Sequence, residues 1–497
     1  MKSDSTGPMS ALAPRSGAWV DRLLLSGGGA LPCLHLARDV DRRTLRDAVD
    51  REQWRLKQAG LCCGGTVALR LPPSLGFIAA LLAAWRLGAQ VSLLDHRLTQ
   101  AEVGRALLGL APQVLVEAAE PADTALRGYA EVELVAVPLK GGRAAQSPHV
   151  LIQLTSGSAG PSKVVARTAA DLEAELGRYR LLPAGSFPWR GERIVLLTSM
   201  VHVLGLVGGL LWALNSGARL VLPDRLTATG ILDAVAAGAE PTTVIGVPFH
   251  AELLAAAAPR PLPSLIRMIV AGEPARPGVP ESFEERYRVP LGTMYGMTEL
   301  GVIATDLTGR LRPAVEPAAG LELRVDAGEL HVRMPQSPYL GTTDPARWSD
   351  GWLHTRDAAS LDPETGQVTI LGRLDSQVSV GGLEVDLAEV EKTLCATPGV
   401  AEVVVVFESG KIEAYLALAF GATVERVRES LALEAAAYKL PQHLWVLPAL
   451  PRTPTGKLQR DKAALRAAAA RTQPDGRLSR RPKPDRAVAR RSSKSGS

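Results

Sequence analysis

Residues 151–168, LIQLTSGSAGPSKVVART, run from a β-prone segment into a loop of small and hydroxyl-bearing residues with one lysine, Lys163. Such a loop offers backbone N–H groups and hydroxyls that suit the oxygens of a polyphosphate. It is not a Walker loop, which needs Ser or Thr directly after the lysine, because Val164 stands there. The sequence also lacks the GxGxxG segment of nicotinamide dehydrogenases. The loop alone therefore leaves two interpretations open, a phosphate clamp or an ordinary Ser/Gly-rich turn.

Two later segments could bind a nucleotide or a metal ion. MYGMTELG (294–301) places an aromatic residue, a glycine, a threonine and a glutamate in one tight turn. GWLHTRDAASLD (351–362) is expected to end a strand on Asp357. Each segment alone is also compatible with a surface turn or a helix cap.

Two further segments follow toward the chain end. LGRLDSQVSVGGLEVDLAEVE (371–391) contains Arg373 and Asp375, and LPRTPTGKLQRDKA (450–463) presents Lys457 beside a glycine. In this order and at these separations, the five segments resemble the motifs of the adenylate-forming superfamily. That superfamily contains acyl-CoA synthetases, adenylation domains of nonribosomal peptide synthetases and firefly luciferases.

The resemblance implies a two-step ligase reaction. A small-molecule carboxylic acid attacks the α-phosphate of ATP to give an acyl-AMP and pyrophosphate, and a thiol then takes the acyl group. The first step gathers negative charge, so it needs cations, fixed dipoles and Mg²⁺ on the phosphates. The thiol is that of coenzyme A or of the phosphopantetheine arm of a carrier protein, and the sequence leaves both open.

The phosphate loop matches the family motif with two departures. The resemblance implies that the β- and γ-phosphates are held by Thr155, Ser156, Gly157, Ser158, Gly160 and Lys163. Ala159 stands where relatives usually carry a second Ser or Thr, and Pro161 and Ser162 are transposed. One missing hydroxyl removes one hydrogen bond to phosphate, worth about 1 kcal/mol. The departures affect a contact and not the class of reaction.

The resemblance also assigns the remaining nucleotide contacts. Glu299 would ligate Mg²⁺, for which a hard carboxylate oxygen is suited, and Thr298 would bind the α-phosphate. Asp357 would accept hydrogen bonds from both ribose hydroxyls, with Arg373 nearby. The adenine would be lined by Tyr295, which stacks on it, and by Gly296, Gly272, Glu273 and Pro274.

Lys457 is the main catalytic candidate. One cation can reach both the carboxylate and the α-phosphate, which aligns them and offsets the developing charge. By resemblance, Asp375 is the hinge about which a small C-terminal domain turns between the two half-reactions. Ser379 departs from the lysine found in many relatives, which affects a contact near the ribose.

The acyl pocket is predicted to be apolar. His202 matches the family's gate residue beside this pocket, and Val203 follows where amino-acid-activating relatives usually have Asp. An unpaired ammonium in an apolar pocket would cost several kcal/mol, roughly, so α-amino acids are disfavoured. The other positions that match the pocket are Phe249, Ala271, Met294, Val302 and Ile303. The sequence therefore predicts an aryl or medium-chain acyl acid.

Two rival classes remain possible at this point. A non-catalytic adenylate-binding protein would leave Lys457 or Glu299 idle, although both stand in intact motifs. A nucleic-acid binder would use the basic end of the chain, where residues 471–497 hold nine Arg or Lys and two Asp, a charge of 9 − 2 = +7. The rest of the chain then carries 5 − 7 = −2, so no basic groove and no nucleic-acid partner are expected.

The composition and the predicted helices and strands indicate the cellular location, the fold class and the domain bounds. The chain of 497 residues is 46% hydrophobic, shows no signal-peptide pattern and no apolar run of membrane-spanning length, and has four scattered cysteines, so we expect a cytoplasmic protein. Strand–helix–strand units recur at residues 66–95, 193–224 and 242–273, which indicates an α/β fold with doubly wound sheets. We predict a large N-terminal domain with a small β region (1–374), a small mobile α+β domain (375–467) and a disordered basic tail (468–497).

Overall fold

The computed structural model of the chain describes residues 17–121, 124, 126–155, 163–183, 185, 187–341, 344–452 and 458–472. Within them the chain divides into two compact units, one up to Glu384 and the other from Val385. The division falls after the predicted boundary at residue 375, and the role of Asp375 as a hinge stays a prediction. No helix among the described residues is both long enough and apolar enough to cross a bilayer.

The described α-helices, in chain order, are α1 (Ala18–Leu23), α2 (Arg42–Gln58), α3 (Leu75–Arg86), α4 (Gln100–Leu110), α5 (Ala169–Arg180), α6 (Trp212–Ser216), α7 (Ala228–Ala236), α8 (Pro248–Ala255), α9 (Val279–Tyr287), α10 (Leu387–Ala396), α11 (Val424–Glu434) and α12 (Lys462–Thr472). A π-helix (Leu204–Leu211) directly precedes α6.

The described strands are β1 (Pro32–His35), β2 (Asp39–Asp41), β3 (Thr66–Arg70), β4 (Gln90–Leu93), β5 (Val114–Ala118), β6 (Leu134–Pro138), β7 (Leu151–Thr155), β8 (Lys163–Arg167), β9 (Arg193–Leu196), β10 (Arg219–Val221), β11 (Thr242–Gly246), β12 (Leu265–Ala271), β13 (Leu291–Met297), β14 (Gly301–Asp306), β15 (Ala314–Pro317), β16 (Leu323–Asp326), β17 (Glu329–Arg333), β18 (Tyr339–Leu340), β19 (Trp348–Ser349), β20 (Trp352–Leu361), β21 (Val368–Arg373), β22 (Gln377–Val380), β23 (Leu383–Asp386), β24 (Val400–Glu408), β25 (Lys411–Leu418) and β26 (His443–Val446).

The large unit is built on two sheets. A seven-stranded sheet has the order β18-β8-β7-β4-β3-β5-β6, with β3, β4, β5 and β7 parallel. A fourteen-stranded sheet has the order β16-β17-β20-β21-β15-β14-β13-β12-β11-β9-β10-β1-β2, with β19 paired to β20. Its part from β9 to β13 is parallel, whereas its part from β14 to β21 is antiparallel. The mixed α/β architecture with an antiparallel β region confirms the predicted fold class.

One hydrophobic cluster joins the two large sheets. It combines side chains of β3 and β7 with side chains of β9, the π-helix and helices α2, α3 and α5. Helix α3 illustrates why this sequence forms a core helix. Ser74 caps its first turn by accepting from the Phe77 N–H at 3.0 Å, and its residues 77–85 are all buried. Trp85 satisfies its indole N–H on the Val150 carbonyl oxygen at 2.9 Å, so the ring is buried without an unpaired donor.

The small unit contains a three-stranded sheet of β24, β25 and β26. Leu465 and Ala469 of α12 are buried in its core with Val404 and Tyr415. Helix α12 extends to Thr472, past the predicted start of the tail at residue 468, and Ala469 in its last turn is buried. The remaining tail, 473–497, lies outside the described residues.

The segment from residue 204 to 216, which we expected to be one ordinary helix, begins as a π-helix of eight residues. Its glycines allow close packing. A Cβ on Gly208 would lie 2.7 Å from the Tyr179 hydroxyl, and one on Gly209 would lie 2.8 Å from Leu196. A side chain at either position would force Tyr179 or Leu196 to shift, so the wide helix turn lies directly against its neighbours.

A buried ion pair fixes helix α5. Arg167 Nη1 and Glu175 Oε2 are 2.7 Å apart, and both side chains are 1% exposed. The other oxygen of Glu175 accepts from the Val302 N–H at 3.2 Å, and Arg178 donates to the Leu300 carbonyl oxygen at 2.6 Å. Helix α5 therefore holds the backbone of the turn that carries the MYGMTELG motif.

Glu175→Gln is expected to destabilise the large unit strongly, because it leaves the Arg167 charge buried without a counter-charge. The expected loss in free energy of unfolding is about 3–5 kcal/mol. The matched control is Glu173→Gln on the same helix, whose surface pair with Arg22 should contribute less than about 1 kcal/mol. Chemical denaturation of both variants measures the difference, and equal losses would refute the role of the buried pair.

Candidate active site

Asp357 lies within β20 and is presented by an irregular backbone. We expected the strand to end on Asp357, but β20 continues to Leu361, with its register to β21 shifted between Ala358 and Ala359. Just before Asp357, Arg356 has φ = +61°, a left-handed conformation that costs a non-glycine residue about 1–3 kcal/mol. Its N–H is held by Glu329 Oε1 at 2.8 Å. This local irregularity sets the direction of the Asp357 side chain.

Tyr295 and Arg373 both contact the Asp357 carboxylate. The Tyr295 hydroxyl donates to Oδ2 at 2.6 Å, and Arg373 Nη1 donates to Oδ1 at 3.2 Å. Burial raises the pKa of Tyr295 well above its usual value, so the phenol stays a donor. Burial also raises the pKa of Asp357, opposed by Arg373. The structure thus brings together the three residues predicted to face the adenine and the ribose.

Arg373 also binds Asp375, the predicted hinge residue. Its Nη2 lies 2.9 Å from both Asp375 oxygens, and Arg347 Nη2 lies 2.9 Å from Oδ2. The Gln377 N–H donates to Oδ1 at 3.2 Å. Burial alone would raise the pKa of Asp375, but Arg373 and these hydrogen bonds outweigh it and lower the pKa. Asp375 is therefore a fixed anion.

Glu299 and Thr298 are both buried in the turn between β13 and β14. The Tyr339 hydroxyl donates to Glu299 Oε1 at 2.7 Å, and burial raises the pKa of that phenol. The bond orients one carboxylate oxygen. A buried carboxylate held in this way would suit the Mg²⁺ ion that the resemblance implies.

The predicted adenine turn follows β12. Gly272 has φ = +95°, a conformation that favours glycine, and Ser379 Oγ lies 3.8 Å from where its Cβ would be. Burial raises the pKa of the adjoining Glu273 to about 6. Pro274 comes next and lies outside any helix or strand. These residues keep their predicted role as a proposal.

The predicted gate residue His202 lies beside a carboxylate that the sequence reasoning missed. His202 Nε2 is 3.7 Å from Asp95 Oδ2, and Arg97 donates to both Asp95 oxygens at 2.8 and 2.5 Å. Burial would raise the pKa of Asp95, but Arg97 and His202 lower it well below its usual value. The available sequence signal for this anion was Asp95 itself, the polar residue that ends the apolar run VSLLD.

The residues predicted for the acyl pocket do not all come together. Ala271, Met294 and Val302 share one buried cluster, with Val203 packed against it. Ile303 belongs to a different cluster, inside the antiparallel β region, because neighbouring residues of a strand point to opposite faces. Phe249 is 52% exposed.

Tyr179 is a second residue that the motifs did not indicate. Its hydroxyl lies 3.6 Å from Met294 Sδ and 3.5 Å from Glu175 Oε1, and its ring stacks on Phe187 at 4.9 Å. It is fully buried beside the predicted acyl pocket. A tyrosine on a helix face carries no sequence signal that separates this position from ordinary core.

The phosphate loop connects two paired strands. Thr155 ends β7 and Lys163 begins β8, and the two residues are opposite each other in the antiparallel register. The predicted loop residues Ser156, Gly157, Ser158 and Gly160 lie outside the described residues, as does Lys457.

Two family models match this chain, one in each of its two compact units. Residues 33–335 match the AMP-binding enzyme family, and residues 389–457 match the AMP-binding enzyme C-terminal domain. The p-hydroxybenzoic acid–AMP ligase of Mycobacterium marinum is 26% identical over 94% of this chain and 69% of its own length. The 4-coumarate–CoA ligase 5 of Oryza sativa is 27% identical over 90% of this chain and 92% of its own. The indoleacetate–CoA ligase of Aromatoleum aromaticum is 28% identical over 89% and 96%.

Solved structures show the same fold. The o-succinylbenzoate CoA synthetase of Bacillus subtilis aligns with a TM-score of 0.75 at 22% identity, over 90% of this chain and 97% of that one. The amide bond synthetase of Marinactinospora thermotolerans aligns with a TM-score of 0.74 at 23% identity, over 90% and 99%. The family match covers more than half of the chain. The chain therefore belongs to the adenylate-forming AMP-binding enzymes, which confirms the predicted family and the prediction of an AMP-forming acid–thiol ligase.

Proposed function

We propose that this enzyme activates an aromatic carboxylic acid as its acyl-AMP and transfers the acyl group to the thiol of coenzyme A. The observation that carries the choice of acid is that Ala271, Met294 and Val302 all lie in the apolar core between the two sheets, with Val203 packed against it. The carboxylates of Glu175, which holds the Val302 N–H, and of Asp95, beside His202, are already paired with Arg167 and Arg97, so neither is a ready partner for an α-ammonium. The names of the relatives, which act on p-hydroxybenzoic, coumaric and indoleacetic acids, support an aryl substrate.

The chain's own residues account for nucleotide binding. Asp357 would accept from the ribose hydroxyls, and the Tyr295 ring beside it would stack on adenine. Because Arg373 already holds the Asp357 carboxylate, the ribose meets an oriented acceptor and little reorganisation is needed. Glu299 Oε2 would hold Mg²⁺, which when bound neutralises charge on the phosphates.

The first chemical step needs a cation between the acid and the α-phosphate. Lys457 fills this role by resemblance, and Thr298 would donate to the α-phosphate. The carboxylate oxygen forms a bond to phosphorus while the bond to the pyrophosphate leaving group breaks. In the second step the thiol sulfur attacks the acyl carbon and AMP leaves.

The proposal is tested by pyrophosphate release with Mg-ATP and a panel of acids. Benzoates, cinnamates, indole acids, C4–C12 fatty acids and amino acids would each be assayed with and without coenzyme A. We expect release with one aryl class together with an acyl-CoA product. An acyl-AMP that forms without acyl-CoA would identify a carrier protein as the acceptor. Bound ATP without turnover of any acid would refute the proposed function.

Lys457→Ala is expected to slow acyl-AMP formation by about 10²-fold or more, since it removes the cation that offsets charge in that step. The matched control is Lys462→Ala, an exposed lysine of the same unit that should leave the rate unchanged. Single-turnover formation of acyl-AMP is the measurement. A normal rate in Lys457→Ala would exclude its role.

Asp375 allows a sharper test of the hinge. Asp375→Ala removes the contacts with Arg373 and Arg347, whereas Asp375→Pro removes the same contacts and also fixes φ near −65°. If Asp375 is a hinge, the two variants should form acyl-AMP at rates similar to each other, and only Asp375→Pro should lose thioester formation. The two half-reactions are measured separately as acyl-AMP and acyl-CoA. Equal behaviour of the two variants would show that Asp375 acts through its charge alone.

A further inference from the structure

Two neighbouring strands of the antiparallel β region carry two histidines and a glutamate on one face. Glu329 and His331 are two residues apart on β17, so they point to the same side, and His331 is paired with His354 on β20. One ligand-type atom of each residue lies within 4.8 Å of those of the other two. The two imidazole rings are 4.2 Å apart between centroids. None of the three residues was predicted as a site residue, although Glu329 also holds the Arg356 N–H beside Asp357.

The cluster is shielded and its groups are oriented. The side chains of His331 and Glu329 are 6% and 12% exposed, and Glu329 Oε2 lies 3.9 Å from His331 Nε2. The other Glu329 oxygen is held by the Arg356 N–H, and Arg356 Nη1 lies 3.4 Å from Oε2, so this guanidinium must turn away when a cation binds.

His354 has the outer hydrogen bond typical of a metal-binding histidine. Ser349 Oγ lies 3.0 Å from His354 Nε2, which leaves Nδ1 as the ligand atom. Such outer bonds fix the tautomer and the orientation of ligating imidazoles.

We propose that Glu329, His331 and His354 bind a transition-metal dication such as Zn²⁺. Two imidazole nitrogens and one carboxylate oxygen suit zinc, whereas Mg²⁺ prefers oxygen ligands alone. Zinc holds nitrogen at roughly 2.0–2.1 Å, so tetrahedral ligand atoms are about 3.4 Å apart. The cluster needs a contraction of about 1 Å to reach this geometry.

The positive charge of Arg324 disfavours a cation bound at this cluster, and this effect can be tested. Its Nη2 lies 3.4 Å from His331 Nδ1, and its guanidinium stacks on Trp352 at 4.1 Å. A guanidinium has no acceptor for the Nδ1–H that forms when Nε2 binds a metal. Arg324 is exposed and must move away when the metal binds. Arg324→Gln would remove the like charge and supply an amide acceptor, so it should tighten binding severalfold.

The experiment uses the full chain without a histidine tag, with Cys62→Ser and Cys63→Ser to remove two exposed neighbouring thiols. Chelator-treated protein is titrated with Zn²⁺ by calorimetry in excess Mg²⁺. We expect one ion per chain. His354→Asn should weaken binding at least about tenfold, and the matched control His443→Asn, on a strand of the other unit, should not.

Co²⁺ provides a second readout, because visible d–d bands report a low-symmetry site formed by these ligands. The bands should appear in the wild-type chain and in His443→Asn and disappear in His354→Asn. Thermal unfolding checks that each variant is folded. Absence of one-to-one Zn²⁺ binding, binding retained in His354→Asn, or weaker binding in Arg324→Gln would each overturn the site.

Discussion

Arg373 is the cation on which the nucleotide side of the site depends. It binds Asp357 and Asp375, two carboxylates that would otherwise repel each other in a partly buried environment. Asp357 is the predicted ribose ligand and Asp375 is the predicted hinge. One guanidinium therefore holds both the predicted ribose ligand and the residue about which the chain is expected to turn. A change in either ion pair alters the electrostatic environment of the other.

The antiparallel β region contributes more than a scaffold, because it maintains the strained backbone that presents Asp357. The left-handed Arg356 is held by Glu329 Oε1 through its N–H, while Glu329 Oε2 faces His331. The same carboxylate thus supports the backbone beside the predicted ribose ligand with one oxygen and belongs to the proposed metal cluster with the other. A metal on Oε2 would displace the Arg356 guanidinium, whose Nη1 lies 3.4 Å from that oxygen, whereas the bond from the Arg356 N–H to Oε1 could remain.

The sequence predicted the strand–helix–strand units, the β region and the order of the motifs, because apolar periodicity and local motifs are properties of short segments. It did not predict partners that are distant in the chain. Asp95 with His202, Tyr339 with Glu299, and Glu175 with Val302 are joined only by tertiary packing. The different clusters of Val302 and Ile303 follow from strand alternation, which motif matching ignores. Strand β20 does not end at Asp357 as expected. The left-handed Arg356 and the register shift beyond it interrupt the regular pairing, and the strand then continues to Leu361.

Tyr179 links the predicted acyl pocket to the turn that carries the predicted Mg²⁺ ligand Glu299. Its hydroxyl lies between Met294 of the predicted acyl pocket and Glu175, whose carboxylate holds Val302. Gly301 sits against that carboxylate, since a Cβ there would lie 2.0–2.2 Å from its atoms, so the turn has no free space in which to move. The predicted acyl pocket and the turn of the predicted Mg²⁺ ligand therefore share one set of buried contacts, through Tyr179 and Glu175.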